Sequence, residues 1–214
     1  GSVNRLHLMN CPFTDRDLLT WFNRCLDKNM NVLVLAPQPF YSERGTPIAV
    51  KLILESISQR GHQADVLTYA EGESVDIENL TIRRIYQPEF TYGIRPGFSW
   101  KKIVCDGFMA IEAAKLCKTN KYDYLHAVEE SVFIALALKL LFKIPYVYDM
   151  DSSLPQQLCE KYRWMKLLLP MTRFFERLAV KNSIMTLPVC SSLASSIKHY
   201  QPHKVFVLTD IALP

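Results

Sequence analysis

The chain has no CxxC pair, no GxGxxG fingerprint, no GxSxG elbow and no apolar run of membrane-spanning length, and each absence removes a class of function. Its six cysteines, Cys11, Cys25, Cys105, Cys117, Cys159 and Cys190, are scattered without the spacing of a zinc site or a redox pair, so reduced thiols in a cytoplasmic protein are expected. A dinucleotide site is disfavoured, because one glycine cannot supply the tight turn, the approach to pyrophosphate and the helix packing that three spaced glycines provide. Ser191, Ser192, Ser195 and Ser196 lack a nucleophile-elbow context and read as a helix start with its solvent face. The longest nearly apolar stretch, Val132 to Phe142, is interrupted by Lys139 and is shorter than the roughly 20 residues that cross a bilayer. No signal peptide is evident, so a soluble chain is expected. There is no internal repeat and no low-complexity segment, and 214 residues suit one α/β domain with a substantial core.

What is present is clearest between Asn31 and Tyr69. Val32 to Ala36 is a continuous apolar run of strand length, as in a strand buried on both faces of a parallel sheet. The loop Pro37 to Gly45 follows at the carboxyl end of that strand, where ligands of open α/β sheets collect. Thr46 is a candidate cap for the next helix, with Pro47 in its first turn and Ile48, Leu52 and Ile53 as its apolar face. Gly61 is placed to end the helix in a left-handed conformation before His62 and a second strand.

Further strands are expected near Leu80 to Tyr86, Tyr124 to Ala127, Tyr146 to Asp149, Ile184 to Leu187 and Val205 to Leu208, alternating with apolar helical segments. That alternation argues for a parallel sheet with helices on both faces and right-handed crossovers. Gln87 to Ser99, with Pro88, Gly93, Pro96 and Gly97, reads as a long surface loop. Residues 1–30 form a prefix in which Thr14 precedes a helix with Leu18, Leu19, Phe22, Cys25 and Leu26 on one face. Gly1 and Ser2 read as a cloning remnant.

The order of the PxPF-type loop with its nearby glycine, the RGH turn before VLTY, Tyr122 to Ala127, Ile144 to Tyr148, Glu176 to Ala179 and Lys204 to Leu208 resembles the amino-terminal domain of family 4 glycosyltransferases. The resemblance covers residues 31–214. It implies a Rossmann-like parallel sheet of about six or seven strands, one half of the two-domain GT-B architecture, which binds the acceptor. The implied activity is transfer of a sugar from a nucleotide diphosphate sugar to a hydroxyl of a carbohydrate or lipid-linked acceptor, with retention. No cofactor is implied beyond that donor substrate. The donor-binding carboxyl-terminal domain is expected to be a missing partner, and this chain alone to be inactive.

The loop Phe40 to Thr46 is one candidate site, since a glycine at a helix entry lets backbone N–H groups approach an anionic ligand. Gly45 permits close approach, and Arg44 is a candidate partner for a phosphate; an ordinary strand-to-helix turn is the bland alternative. His126 ends an expected strand, where its side chain is expected to face the cleft, or else to be a structural histidine bonded near the strand end. The resembling family commonly carries a second His two positions later, and here that position is Val128. A base would then be Glu129 or Asp151. Asp149 and Asp151 fall on one side of an extended chain, a spacing that can hold a divalent cation, yet acceptor binding by Asp151 or helix capping by Asp151, Ser152 or Ser153 is favoured, and no metal is expected. Tyr41 and Tyr69 are secondary candidates for stacking on a sugar ring.

Lys161 to Lys181 holds six basic residues and one acid, Glu176, amid Tyr162, Trp164, Leu167, Phe174 and Phe175. Arg173, Arg177 and Lys181 recur at helical spacing, so this segment is a candidate for contact with an anionic membrane surface. A core helix with a solvated basic face is the alternative. Nucleic acid is not an expected partner, because the basic residues are confined to one segment without a recognised binding module. A non-catalytic module that docks a donor-binding subunit or a membrane is the second functional hypothesis, and a sugar-nucleotide epimerase of the same architecture a weaker third.

Overall fold

The computed structural model describes residues 29–42, 45–94, 99–155 and 169–209. Six strands, β1 (Asn31–Ala36), β2 (Gln63–Thr68), β3 (Leu80–Arg84), β4 (Tyr124–Val128), β5 (Tyr146–Met150) and β6 (Met185–Pro188), form one sheet in the order β3-β2-β1-β4-β5-β6. All five pairings are parallel. The order reverses direction between β1 and β4, so the loops after these strands diverge and leave a crevice at their carboxyl ends. The helices are α1 (Gly45–Gln59), α2 (Trp100–Thr119), α3 (Val132–Phe142), α4 (Leu169–Asn182) and α5 (Ser191–Ile197).

Each side of the sheet has its own core, because side chains alternate along a strand. Val32, Val34, Ala64 and Val66 pack with Val50, Leu54 and Ile57 of α1. Leu33, Leu35, Leu67, Leu125 and Tyr146 pack on the other side with α2, α3, α4 and α5. The sequence therefore folds as an α/β Rossmann-like sheet with helices on both faces.

The apolar stripe of α1 consists of Pro47, Val50, Leu54 and Ile57; of the expected face Ile53 packs against this core, while Ile48 and Leu52 are half-buried beside it. The helix begins at Gly45, so Thr46 lies within its first turn and its hydroxyl donates to Glu129. Gly61 does adopt the left-handed conformation, with φ +74°, and the Gly61 and His62 amides close the helix on the Ser58 and Ile57 carbonyls. At the seventh expected strand, Val205 makes an isolated parallel bridge to Thr186, and backbone hydrogen bonds join Lys204, Phe206 and Leu208 to Thr186 and Pro188 of β6. The expected prefix helix, residues 156–168 with the first part of the basic segment, and Arg44 lie outside the described residues.

Within the expected surface loop 87–99 there is a short 3-10 turn, Glu89–Thr91, and Gln87 and Thr91 are buried beneath it. Arg84 donates to five consecutive carbonyls, Tyr69 to Glu73, and so secures the loop after β2. Gly72 packs against the backbone of Phe40 so closely that a Cβ there would lie 2.4 Å from it, which ties the loops after β1 and β2 together. The carboxyl edge on the β1 and β2 side of the crevice is thus held by close backbone contacts.

Candidate functional site

Charged side chains gather beyond the carboxyl ends of β1 and β4, from the turn after β4 and the first turns of α2. After Val128 the chain enters a 3-10 turn, Glu129–Ser131, with Glu129 at φ +50°. A left-handed conformation is uncommon for a residue with a Cβ and occurs where surrounding contacts enforce it. Ser131 supplies such contacts, because its hydroxyl bonds both to the Leu35 carbonyl at 3.0 Å and to the Val128 carbonyl at 2.7 Å. Glu129 then meets α1, where its Oε1 accepts from the Thr46 hydroxyl at 3.3 Å.

Lys102 approaches from the first turn of α2, which Ser99 caps by accepting from the Lys102 amide. Its ammonium pairs with Glu130 and lies 3.7 Å from Glu129 Oε2. One turn along α2, Asp106 accepts from the Tyr69 hydroxyl at 2.6 Å. Three carboxylates, Glu129, Glu130 and Asp106, therefore surround a single cation. Burial pushes Glu130 up to about 7, against the pull of Lys102. Burial and then the Glu130 charge push Asp106 up to about 7 as well. Burial works against the Lys102 charge, but the carboxylates of Glu130 and Glu129 outweigh it and raise its pKa. The site can hold or release a proton near neutrality while keeping its lysine charged.

Among the residues expected from sequence, Gly45, Thr46 and Glu129 come together at this edge. His126 does not face it. It occupies the middle of β4, shares its face with Val128 and pairs through Nε2 with Asp149 Oδ2 at 3.3 Å, both side chains being buried. The alternation of β4 turns His126 into the layer beneath the sheet, which corrects the expectation that it points to the cleft. Asp149 is thus engaged by His126 within β5, while Asp151 sits half-buried in the bend just beyond that strand. Among the described residues no group of three or more His, Cys, Asp or Glu is arranged to hold a metal ion. Tyr69 is fully buried and committed to Asp106, so it is a support rather than a stacking surface.

Lys102, Asp106 and Glu130 were not expected as site residues. Their only sequence signal is the acid pair Glu129-Glu130 at a strand end and a Lys–Asp pair one turn apart at the start of a helix. Beside them Phe90 stacks on Trp100 with ring centroids 6.0 Å apart, and both rings are largely exposed. A cavity of about 600 Å³ opens at the opposite, amino-terminal edge of the sheet, lined by Asn31, Gln63, Asp65, Asn79, Thr81 and Tyr122. Its one acid, Asp65, is already engaged by Arg83 and Tyr122.

No family model and no curated protein matches the sequence. Solved structures do match the fold. Sucrose-phosphate synthase from Thermosynechococcus elongatus superposes with a TM-score of 0.65 at 10% identity, over 85% of this chain and 48% of that one. UDP-glucose: anthocyanidin 3-O-glucosyltransferase in complex with UDP gives 0.56 at 12% identity, over 87% and 54%. Arabidopsis thaliana UGT89C1 complexed with UDP-L-rhamnose gives 0.54 at 13% identity, over 87% and 53%. The chain spans about half the length of these proteins. Its fold is the Rossmann-like half-domain of the GT-B architecture. Identities this low speak for the fold alone.

Proposed function

We propose that this chain is the acceptor-side domain of a glycosyltransferase resembling family 4, which moves a sugar from a nucleotide diphosphate sugar to a hydroxyl with retention. The observation that carries the reading is the junction of Glu129 with the first turn of α1, at the crevice where ligands of such sheets bind. Glu129 accepts a hydrogen bond from the acceptor hydroxyl, Thr46 and Lys102 fix the direction of its carboxylate, and Gly45 lets a substrate come close to the backbone. Asp151 holds further acceptor hydroxyls from the end of β5. Most donor contacts fall to a second domain. The similarity to half the length of proteins solved with UDP or UDP-L-rhamnose supports this division.

The test is release of nucleoside diphosphate from a panel of UDP-, GDP- and ADP-sugars in the presence of candidate acceptors. The protein with its carboxyl-terminal domain is expected to turn over, and the 214-residue chain alone to be inactive. Robust transfer by the chain alone would overturn the division of labour, and absence of turnover by the two-domain protein with every donor would overturn the activity.

A further inference from the structure

We infer that the outer face of α3 and α4 is a docking surface for an anionic lipid bilayer. The inference is independent of the proposed transfer reaction and uses none of the crevice residues. Helix α4 docks on the sheet through Thr172, Glu176, Ala179 and Val180, and its one acid, Glu176, is consumed there by the Leu154 amide and the Tyr200 hydroxyl. The opposite crest carries Phe174, Arg177 and Lys181 at helical spacing, flanked by Met171, Arg173 and Phe175.

Helix α3 extends this face. Phe133 meets Phe175 edge to face at 6.5 Å, and the buried Lys139 ammonium donates to the Asn182 carbonyl at 2.7 Å. These two contacts, one near the start of α3 and one near its end, set the helices side by side and parallel. Leu140 and Leu141, 49% and 71% exposed, therefore lie on the same side of the domain as Met171, Phe174 and Phe175, which are 50%, 55% and 44% exposed. Five large apolar side chains in water on two adjoining helices exceed what scattered surface hydrophobes require, and such patches mark interaction sites.

Charge selects the occupant. Lys143, Arg173, Arg177 and Lys181 are exposed around the apolar side chains, and neither helix exposes a carboxylate. Other outer helices of the domain mix signs, with Lys51 beside Glu55 on α1 and Lys115 beside Glu112 on α2. An acid-free, cation-rimmed apolar face complements anionic headgroups above an acyl layer: the cations stay at headgroup level while the Phe, Leu and Met side chains enter the interface. No helix among the described residues is long and apolar enough to cross a membrane, so the geometry is that of a domain lying on the surface.

Co-sedimentation of the 214-residue chain with vesicles of phosphatidylcholine, with and without phosphatidylserine as a third of the lipid, tests this. Partition onto the serine-containing vesicles is expected to be at least tenfold stronger, and Arg177→Gln with Lys181→Gln is expected to weaken it about thirtyfold. Phe174→Ser is expected to weaken it too while leaving the melting temperature unchanged. Equal partition onto both vesicles, no partition at all, or a double variant that binds as well as the parent would overturn the proposal. Vesicle-independent self-association that Phe174→Ser abolishes would assign the face to a second copy of the chain and also overturn it.

Discussion

The carboxyl edge of the sheet and the outer face of α3 and α4 differ in the sign of their charge and in what has become of it. At the edge, three carboxylates crowd one lysine, mostly out of solvent, and two of them also accept from hydroxyls, Glu129 from Thr46 and Asp106 from Tyr69. On the outer face four cations stand in water among apolar side chains, and the only acid of α4 is spent inside the fold. Partly buried charge is expensive unless paired, so the edge is a place where substitutions change stability and proton affinity together. Exposed charge is cheap, so the outer face can be altered with little effect on folding. The two regions are suited to different tasks, chemistry that needs fixed groups and attachment that needs only composition.

The contrast is broken most severely by Lys102→Met. Removing the one cation leaves Glu129 and Glu130 uncompensated, and chemical denaturation at pH 8 should show a loss of about 3 kcal/mol, toward the low end for a buried pair because a quarter of the Glu130 side chain still reaches solvent. In the proposed two-domain transferase, Glu129→Gln should lower kcat about a hundredfold with little change in KM for the donor, read as nucleotide release. Loss of donor affinity instead would separate Glu129 from the acceptor.

A smaller effect of opposite sign is expected at Asp106. Its folded pKa of about 7 lies above the ordinary 3.8, so its neutral form favours folding fully below about pH 4, and that contribution disappears as pH rises through 7. Asp106→Asn keeps an oxygen for the Tyr69 hydroxyl and removes the charge. It should raise stability by about 1–2 kcal/mol at pH 8 and flatten the decline between pH 4 and 8, as thermal melts across that range would record. On the outer face, Phe174→Ser should shift stability by less than about 0.5 kcal/mol at any pH, because a side chain that is 55% exposed has little burial to lose. A loss of 2 kcal/mol there would show that the face is covered by the protein itself, and would erase the contrast.

The parallel sheet was legible because β1, β4 and β5 are buried on both faces and read as nearly continuous apolar runs, and because Gly61 marks a helix end that φ +74° confirms. The partly exposed Val205 to Leu208 run does lie along β6, through three backbone hydrogen bonds and a parallel bridge to Thr186, but at the sheet edge it does not extend into a full strand. For α1 the expected stripe was rotated, because several apolar residues ring the helix and only docking decides which of them face the sheet. The site was legible in part. Gly45, Thr46 and Glu129 follow strands at the edge that binds ligands, and a strand end is visible in sequence. His126 was misplaced toward the cleft because it reads as the strand's end, whereas β4 runs to Val128, one residue past the expected Ala127, and leaves His126 in mid-strand paired with Asp149. Lys102 and Asp106 left only the spacing of a Lys–Asp pair in the sequence, since helix α2 reaches the edge through the crossover from β3 to β4, with Lys102 18 and Asp106 22 residues of chain beyond Arg84.

Calorimetric titration of the folded 214-residue chain with UDP-, GDP- and ADP-sugars, with and without magnesium, bears most directly on the claim that this domain serves the acceptor. An acceptor-side domain is expected to bind no donor tighter than about 1 mM, with or without the metal. Micromolar binding of any one donor would place the donor site on this chain and contradict the account.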